Sequence, residues 1–102
     1  MTMTQLDTIM REISRLYFVS LKTINEKSFM SDSDNDSPYL KYYNDVEKAF
    51  AKLDKEKRKL ITKEYFYDDY NGWWVKEYRL GRFIRLKRNA IKAFMEAFNE
   101  IH

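Results

Sequence analysis

Apolar side chains in the last third of the 102-residue chain recur at every third or fourth position, which is the spacing that an α-helix requires. At about 100° per residue, this apolar stripe falls within roughly 60° of Phe83. Its members are Phe83, Leu86, Ala90, Phe94, Ala97 and Ile101. The pattern therefore predicts one long amphipathic helix, from about Arg82 to about Asn99, which packs on its own domain through the apolar stripe.

The opposite face of this predicted helix is basic. It carries Arg85, Arg88, Asn89 and Lys92, with Arg82 at its edge. Within residues 76–92, seven Lys and Arg residues are opposed only by Glu77, which gives a net charge of +6 in seventeen residues. Such a local field attracts polyanions. The alternative is an ordinary solvated face whose arginines pair with Glu77, Glu96 or Glu100.

The composition favours long helices over turns, because only two Gly and one Pro interrupt the sequence. Residues 1–30 carry an amphipathic pattern that predicts a first helix from Thr4, as the N-cap, to about Glu26. Residues 31–37 are small, polar and acidic, and they are expected to form a flexible loop. Residues 38–102 are expected to complete a single helical domain.

Further helices are predicted in the second part of the chain. The second helix covers about 38–52, and a third begins after Asp54 as its N-cap. A short helix over about 73–79 and a turn at Leu80-Gly81 then lead into the basic helix. The chain is thus predicted to be all-α, a small bundle of four to five helices with a C-terminal helix-turn-helix.

Several side chains do not fit the simple division into apolar and polar faces. Phe18 and Val19 lie outside the apolar stripe of the first helix. They are either isolated exposed apolar residues or part of a second contact surface, such as a homodimer interface. Lys87 lies nearer the apolar than the basic face, so its stem is expected to extend outward to solvent. Trp73 and Trp74 are assigned to packing, with exposure of Trp73 as the alternative.

Enzyme chemistry has little support in the sequence. There is no Cys, and the single His is His102 at the end of the chain. Asp68 and Asp69 are adjacent in a predicted turn, which is poor spacing for paired acid-base catalysis. The acidic loop begins like a calcium loop, but Ser37 and Tyr43 stand where glycine and glutamate are required. We therefore expect neither catalysis nor a metal or cofactor.

The sequence also favours a cytoplasmic protein. It shows no charged-then-apolar signal at its N-terminus and no apolar run near about 18 residues. The apolar face of the basic helix is expected to be used in the core, so no membrane partner is expected.

Two segments resemble a known DNA-binding module. "AFAKLDKEKRKLITKEYF" resembles the helix that opens region 4 of sigma factors, and "WWVKEYRLGRFIRLKRNAIKAFMEAF" is similar to the second half of that region. The second segment is more similar still to small phage and mobile-element transcription regulators of the late-activator and autolysin-regulator kind. Matching positions are Leu53, Asp54, Glu56, Arg58, Leu60, Ile61, Tyr65, Phe66, Trp74, Phe83, Arg85, Lys87, Arg88, Ala90, Ile91 and Phe94.

The resemblance covers about residues 46–99, half of the chain, and it departs from the family pattern in two places. Glu77 and Tyr78 occupy the first helix of the motif, where the family has Ala or Ser. Arg82 stands where a Ser or Thr caps the recognition helix. These departures leave room for a module that contacts protein instead of DNA.

The resemblance implies a DNA-binding transcription regulator whose recognition helix, at about 82–99, enters double-stranded DNA. Direct base readout is expected from Arg82, Arg85 and Asn89, and phosphate contacts from Lys76, Arg79, Arg88 and Lys92. A homodimer, or attachment to RNA polymerase, would add the affinity that one motif lacks. The alternative is a non-catalytic protein-interaction module that binds RNA polymerase without touching DNA. RNA binding is a third option, which would require exposed stacking aromatics.

Overall fold

The computed structural model describes residues 2–27, 38–67 and 72–101, and within these ranges every regular element is helical. The elements are α1 (Met3–Lys27), α2 (Pro38–Ala51), α3 (Lys55–Ile61), a π-helical turn (Thr62–Phe66) that continues α3, and α4 (Leu80–Ile101). The prediction of an all-α chain is confirmed, with four α-helices at the lower end of the predicted count. The predicted acidic loop, 31–37, lies outside the described residues.

A reciprocal pair of hydrogen bonds starts α1. The Thr2 hydroxyl accepts from the Gln5 amide at 3.2 Å, and the Gln5 side-chain oxygen accepts from the Thr2 amide at 2.8 Å. This arrangement is a capping box, which satisfies two amides that the first helical turn leaves without partners. The predicted N-cap, Thr4, is therefore wrong, because the capping residue is Thr2. The helix itself, Met3–Lys27, is close to the predicted range of about 4–26.

Both α2 and the beginning of α3 follow the sequence prediction. The bounds of α2, Pro38–Ala51, agree with the predicted 38–52. Asp54 caps α3, because its Oδ1 accepts from the Lys57 amide at 2.9 Å. This bond supplies a partner for one of the free amides at the helix start.

The π-helical turn after α3 was not predicted. In this turn the backbone hydrogen bond spans five residues instead of four: the Tyr67 amide donates to the Thr62 carbonyl at 2.8 Å. Two buried pairs, Leu60-Ile61 and Tyr65-Phe66, are also spaced by five. An α-helix would rotate residues five apart by about 140°, whereas the wider turn brings them closer to one face. Burial of both pairs thus favours the π-helical geometry.

A buried hydroxyl attaches α1 to this turn. Ser14 Oγ donates to the Tyr65 carbonyl at 2.9 Å. We expect Ser14→Ala to lower the free energy of unfolding by about 1 kcal/mol, because the buried carbonyl loses its side-chain donor. Thr8→Ala on the same helix removes an exposed hydroxyl bonded to the Thr4 carbonyl and should cost less. Urea denaturation of both variants measures the difference, and equal losses would contradict this role for Ser14.

The core is rich in aromatic rings and lies where α1, α2 and α3 cover the apolar stripe of α4. Phe94 is fully buried and packs edge-to-face on Phe50, with 5.7 Å between the ring centroids. Phe50 packs in the same way on Phe66 at 5.1 Å. Aromatic edge-to-face pairs contribute beyond the area that they bury. This packing fixes which face of α4 points inward.

The predicted short helix over 73–79 is wrong. Residues 72–77 form successive turns instead, in which the Val75 amide bonds to the Gly72 carbonyl at 3.1 Å and the Glu77 amide to the Trp74 carbonyl at 2.9 Å. Trp74 stacks on Phe83 with 4.4 Å between centroids, and Trp73 is buried against the same ring. The two tryptophans are thus apolar because they pack on Phe83, and not because they form the inner face of a helix.

The start of α4 is also different from the prediction. The helix begins at Leu80, so Leu80-Gly81 is its first turn and not a turn between two helices, and Arg82 is not at a cap position. The helix-turn-helix prediction is not confirmed, because the residues described between the π-helical turn and α4, which are 67 and 72–79, contain no helix. No helix in the described ranges has the length and apolar character of a membrane span.

Candidate nucleic-acid interface

The basic face of α4 is open to solvent. Of the seven residues predicted to contact DNA, six are exposed and Arg88 is half-buried. These residues are Lys76, Arg79, Arg82, Arg85, Arg88, Asn89 and Lys92. No described helix of the chain covers Arg85, so the face has the access that a nucleic-acid groove requires. We call these seven residues, of which five lie on α4 and two directly precede it, the basic face.

Helix geometry brings the α4 members of the basic face together. Arg82, Arg85, Asn89 and Lys92 follow one another at steps of three or four residues, which places them on one side of α4. Arg88 borders this row one residue from Asn89. The side chains therefore form a strip along the first half of the helix.

Lys76 and Arg79 lie in the segment that directly precedes α4, and both are exposed. The Arg79 carbonyl accepts from the Phe83 amide at 2.9 Å, which joins the last residue before the helix to its first turn. Arg82 lies over the ring of Tyr78, with 6.0 Å from the guanidinium carbon to the ring centroid. This contact gives Arg82 a preferred position at the edge of the strip.

In the described ranges, the carboxylates that would neutralise the face under the alternative interpretation do not pair with its arginines. Glu77 pairs with Lys59 at 2.7 Å, and Glu100 pairs with Lys52 at 3.1 Å. The hydrogen bond from Lys59 lowers the pKa of Glu77. Within the described ranges, no ion pair joins Glu96 or any other carboxylate to Arg85. The charge of the strip is therefore available to an external anion.

Lys87 has a position that the sequence prediction missed. Its side chain is only 13% exposed, and its ammonium group lies 2.9 Å from Asp7 Oδ1 and 3.1 Å from Glu64 Oε2. The expectation that Lys87 extends outward is wrong, because carboxylates from α1 and from the π-helical turn meet it on the inner side of α4. A largely covered cation with two such partners is a typical structural arrangement.

Two further side chains, both buried, complete this partly buried network. The Tyr65 hydroxyl donates to Asp7, and Trp73 Nε1 donates to Glu64 Oε1 at 2.7 Å. The network therefore joins α1, the π-helical turn, the turns at 72–77 and α4. In this article the term Lys87 network means Asp7, Glu64, Tyr65, Trp73 and Lys87.

The network shifts the pKa of two of its members. Burial alone would raise the pKa of Asp7, but the hydrogen bonds from Tyr65 and Lys87 and the nearby positive charges outweigh burial and lower it. Burial raises the pKa of Tyr65 well above its ordinary value, and the hydrogen bond to Asp7 raises it further. Tyr65 is thus a neutral donor and Asp7 an ionised acceptor, which matches a supporting role for the network beneath the basic face.

One feature of the sequence indicated that Lys87 has a partner. A lysine at the border of an apolar stripe needs an anionic partner when the stripe is covered. The identity of the partners was not predictable, because Asp7 and Glu64 lie far from Lys87 in sequence and meet it only through the packing of three elements.

Comparison of the chain with protein-family models, with curated proteins and with solved structures finds no match, so its likeness to sigma region 4 rests on the quoted residues alone.

Proposed function

We propose that this chain is a DNA-binding transcription regulator that inserts the basic face of α4 into double-stranded DNA. The observation that carries the proposal is the strip of cations on α4, exposed and without carboxylate partners in the described part of the chain. Arginine and asparagine are the side chains that pair with guanine and adenine edges in the major groove, and the remaining cations suit phosphates.

The absence of a short helix over 73–79 changes how α4 would be presented. In the proposed complex, α3 and the Lys87 network support α4 from behind, and Lys76 and Arg79, in the segment before α4, contact the phosphates. A single helix that is supported by few contacts to the DNA backbone binds DNA weakly. A homodimer or attachment to RNA polymerase would supply the missing affinity in this proposal.

Fluorescence anisotropy of a labelled A/T-rich duplex tests the proposal. The salt concentration is varied from about 50 to 300 mM, because the slope of affinity against salt reports the number of phosphates neutralised. We expect binding that weakens steeply with salt. Arg85→Ala/Arg88→Ala should weaken binding by roughly tenfold to a hundredfold at the lowest salt and make the slope shallower by about 1 to 2.

A matched variant separates the basic face from net charge. Lys22→Ala/Lys48→Ala removes the same charge from exposed positions on α1 and α2. It should leave the affinity within about twofold and the slope unchanged. If folded protein does not bind the duplex at the lowest salt, or if the two double variants weaken binding equally, DNA binding through the basic face is contradicted.

One observation favours a second function, a non-catalytic module that contacts RNA polymerase without touching DNA. Leu80 and Ile84 are 59% and 41% exposed and lie one turn apart on α4, beside the basic face. Exposed apolar pairs of this kind are typical of protein contacts. Failure to bind DNA, together with association with RNA polymerase that Leu80→Ser/Ile84→Ser abolishes in co-sedimentation, would support this second function.

A further inference from the structure

A groove on another part of the surface is lined largely by aromatic rings. It lies between α1, α2 and the π-helical turn and has a volume of about 400 Å³. Its lining includes Tyr17, Phe18, Glu47, Phe50, Phe66 and Tyr67, which we call the aromatic groove. None of the described lining residues belongs to α4, so the aromatic groove is separate from the basic face.

The rings are arranged around Phe66. Tyr17 and Phe50 both pack edge-to-face on Phe66, with centroid distances of 5.2 and 5.1 Å, and Phe18 lies at 6.0 Å. Tyr67 is exposed at the rim. Rings held by one another lose little freedom when a ligand binds, which favours a preformed site.

One carboxylate gives the aromatic groove its charge. Glu47 is the one acidic or basic residue among the described residues that line it. The Tyr17 hydroxyl donates to Glu47 Oε1 at 2.6 Å. Burial raises the pKa of Tyr17, and the hydrogen bond to Glu47 raises it further, so Tyr17 remains a neutral donor. A carboxylate can accept several hydrogen bonds, so Glu47 retains capacity for a ligand donor.

We propose that the aromatic groove binds a small organic ammonium compound with an apolar or aromatic body. Ring faces carry partial negative charge and attract cations, and Glu47 adds a full negative charge. The apolar body of the compound would pack against Phe18, Phe50 and Phe66. Volume and lining are in the ordinary range of small-molecule sites, with many apolar groups and one oriented polar group. An anion would meet the carboxylate and the ring faces unfavourably.

Titration with three matched probes tests the proposal. Phenethylamine, phenethyl alcohol and phenylacetate share a phenyl body and differ in carrying a positive charge, no charge and a negative charge. Two-dimensional amide NMR of the full chain follows each titration. We expect phenethylamine to shift the amides of groove residues such as Val46 and Thr62, to bind at least about fivefold more tightly than the alcohol, and phenylacetate to leave the spectrum unchanged.

The Glu47→Gln variant tests the carboxylate. Its amide oxygen can still accept the Tyr17 hydrogen bond, so the aromatic groove should keep its shape. We expect phenethylamine to bind roughly tenfold more weakly and the alcohol to bind as before. The matched control is Glu96→Gln, which removes the same charge from an exposed position on α4 and should bind phenethylamine like the parent chain.

Several results would overturn the proposal. They are the absence of shifts at the aromatic groove with phenethylamine, an alcohol that binds as tightly as the amine, and a Glu47→Gln variant that keeps the full affinity. Each outcome is independent of DNA, because the proposal uses neither α4 nor its cations.

Discussion

Replacing Lys87 with methionine is expected to lower the free energy of unfolding by about 3 kcal/mol and the Tm by roughly 15 °C. Methionine keeps most of the apolar stem, so the packing along α4 is retained. The ammonium group is lost from between Asp7 and Glu64, and both carboxylates then lose their ion-pair partner in a partly buried place. Thermal and urea denaturation followed by circular dichroism measures the effect.

Lys92→Met is the matched control for this prediction. Lys92 is exposed on the same helix and has no ion pair with a described residue, so the substitution should change stability by less than about 0.5 kcal/mol. Combining Lys87→Met with Glu64→Gln should recover part of the loss, because one unpaired charge is removed. Equal losses in the two methionine variants would show that Lys87 does not hold the network together.

The effect of Lys87→Met should depend on pH. In the parent chain the pKa of Asp7 lies below its ordinary value of 3.8, so the folded protein binds fewer protons than the unfolded chain near that pH. The stability that Asp7 contributes is therefore present above about pH 4 and lost as the pH falls through its folded pKa. Lys87 stabilises only ionised carboxylates. The difference between the parent and the variant should be largest near neutral pH and shrink on acidification.

Phe94→Ala is expected to have the largest effect on stability, a loss of about 4 kcal/mol. The ring is fully buried and packs against Phe50 and Phe98, with centroids 5.7 and 5.9 Å apart. Its removal leaves a cavity between α2 and α4 that neighbouring rings fill only partly. Urea denaturation provides the measurement, with a shift of the midpoint and an unchanged slope if folding remains two-state.

Ile84→Ala provides the comparison for Phe94→Ala. Ile84 is on the same helix, but 41% of it is exposed, so the truncation should cost less than about 1 kcal/mol. Similar losses for the two variants would mean that α4 is not anchored through Phe94. Ile84→Ala should also leave the Lys87 network and the aromatic groove unchanged.

The helices were predictable because periodic apolar residues identify both the type of an element and its inward face. Phe83, Ala90 and Phe94 on the predicted stripe are all buried. The π-helical turn was not predictable from a period of 3.6, since its signal is a pair of buried residues repeated after five positions. The turns at 72–77 were missed because Trp73 and Trp74 are apolar enough to suggest a helix, whereas their packing on Phe83 needs only a compact turn.

The candidate site was predictable to a similar degree. Sequence spacing placed the cations of α4 on the face opposite the apolar stripe, and Arg82, Arg85 and Lys92 are exposed. The spacing of residues gives the direction of each side chain around the helix axis, but it does not show whether solvent or another part of the chain lies in that direction. Lys87 shows this limit, because its angle allowed either solvent or a buried partner, and only the packing of α1 and the π-helical turn against α4 decides between them.

Both tryptophans of the sequence lie in the turns that precede α4, where Trp73 and Trp74 pack against Phe83 near the start of that helix. The described rings of the aromatic groove are tyrosine and phenylalanine only. Tyrosines lie in both places, with Tyr17 and Tyr67 in the groove and Tyr78 beside Arg82, so tyrosine absorption does not separate the two surfaces. Indole emission, by contrast, comes from the end of the molecule that carries the basic face. The chain thus contains its own optical probe for occupation of that face, without an attached dye.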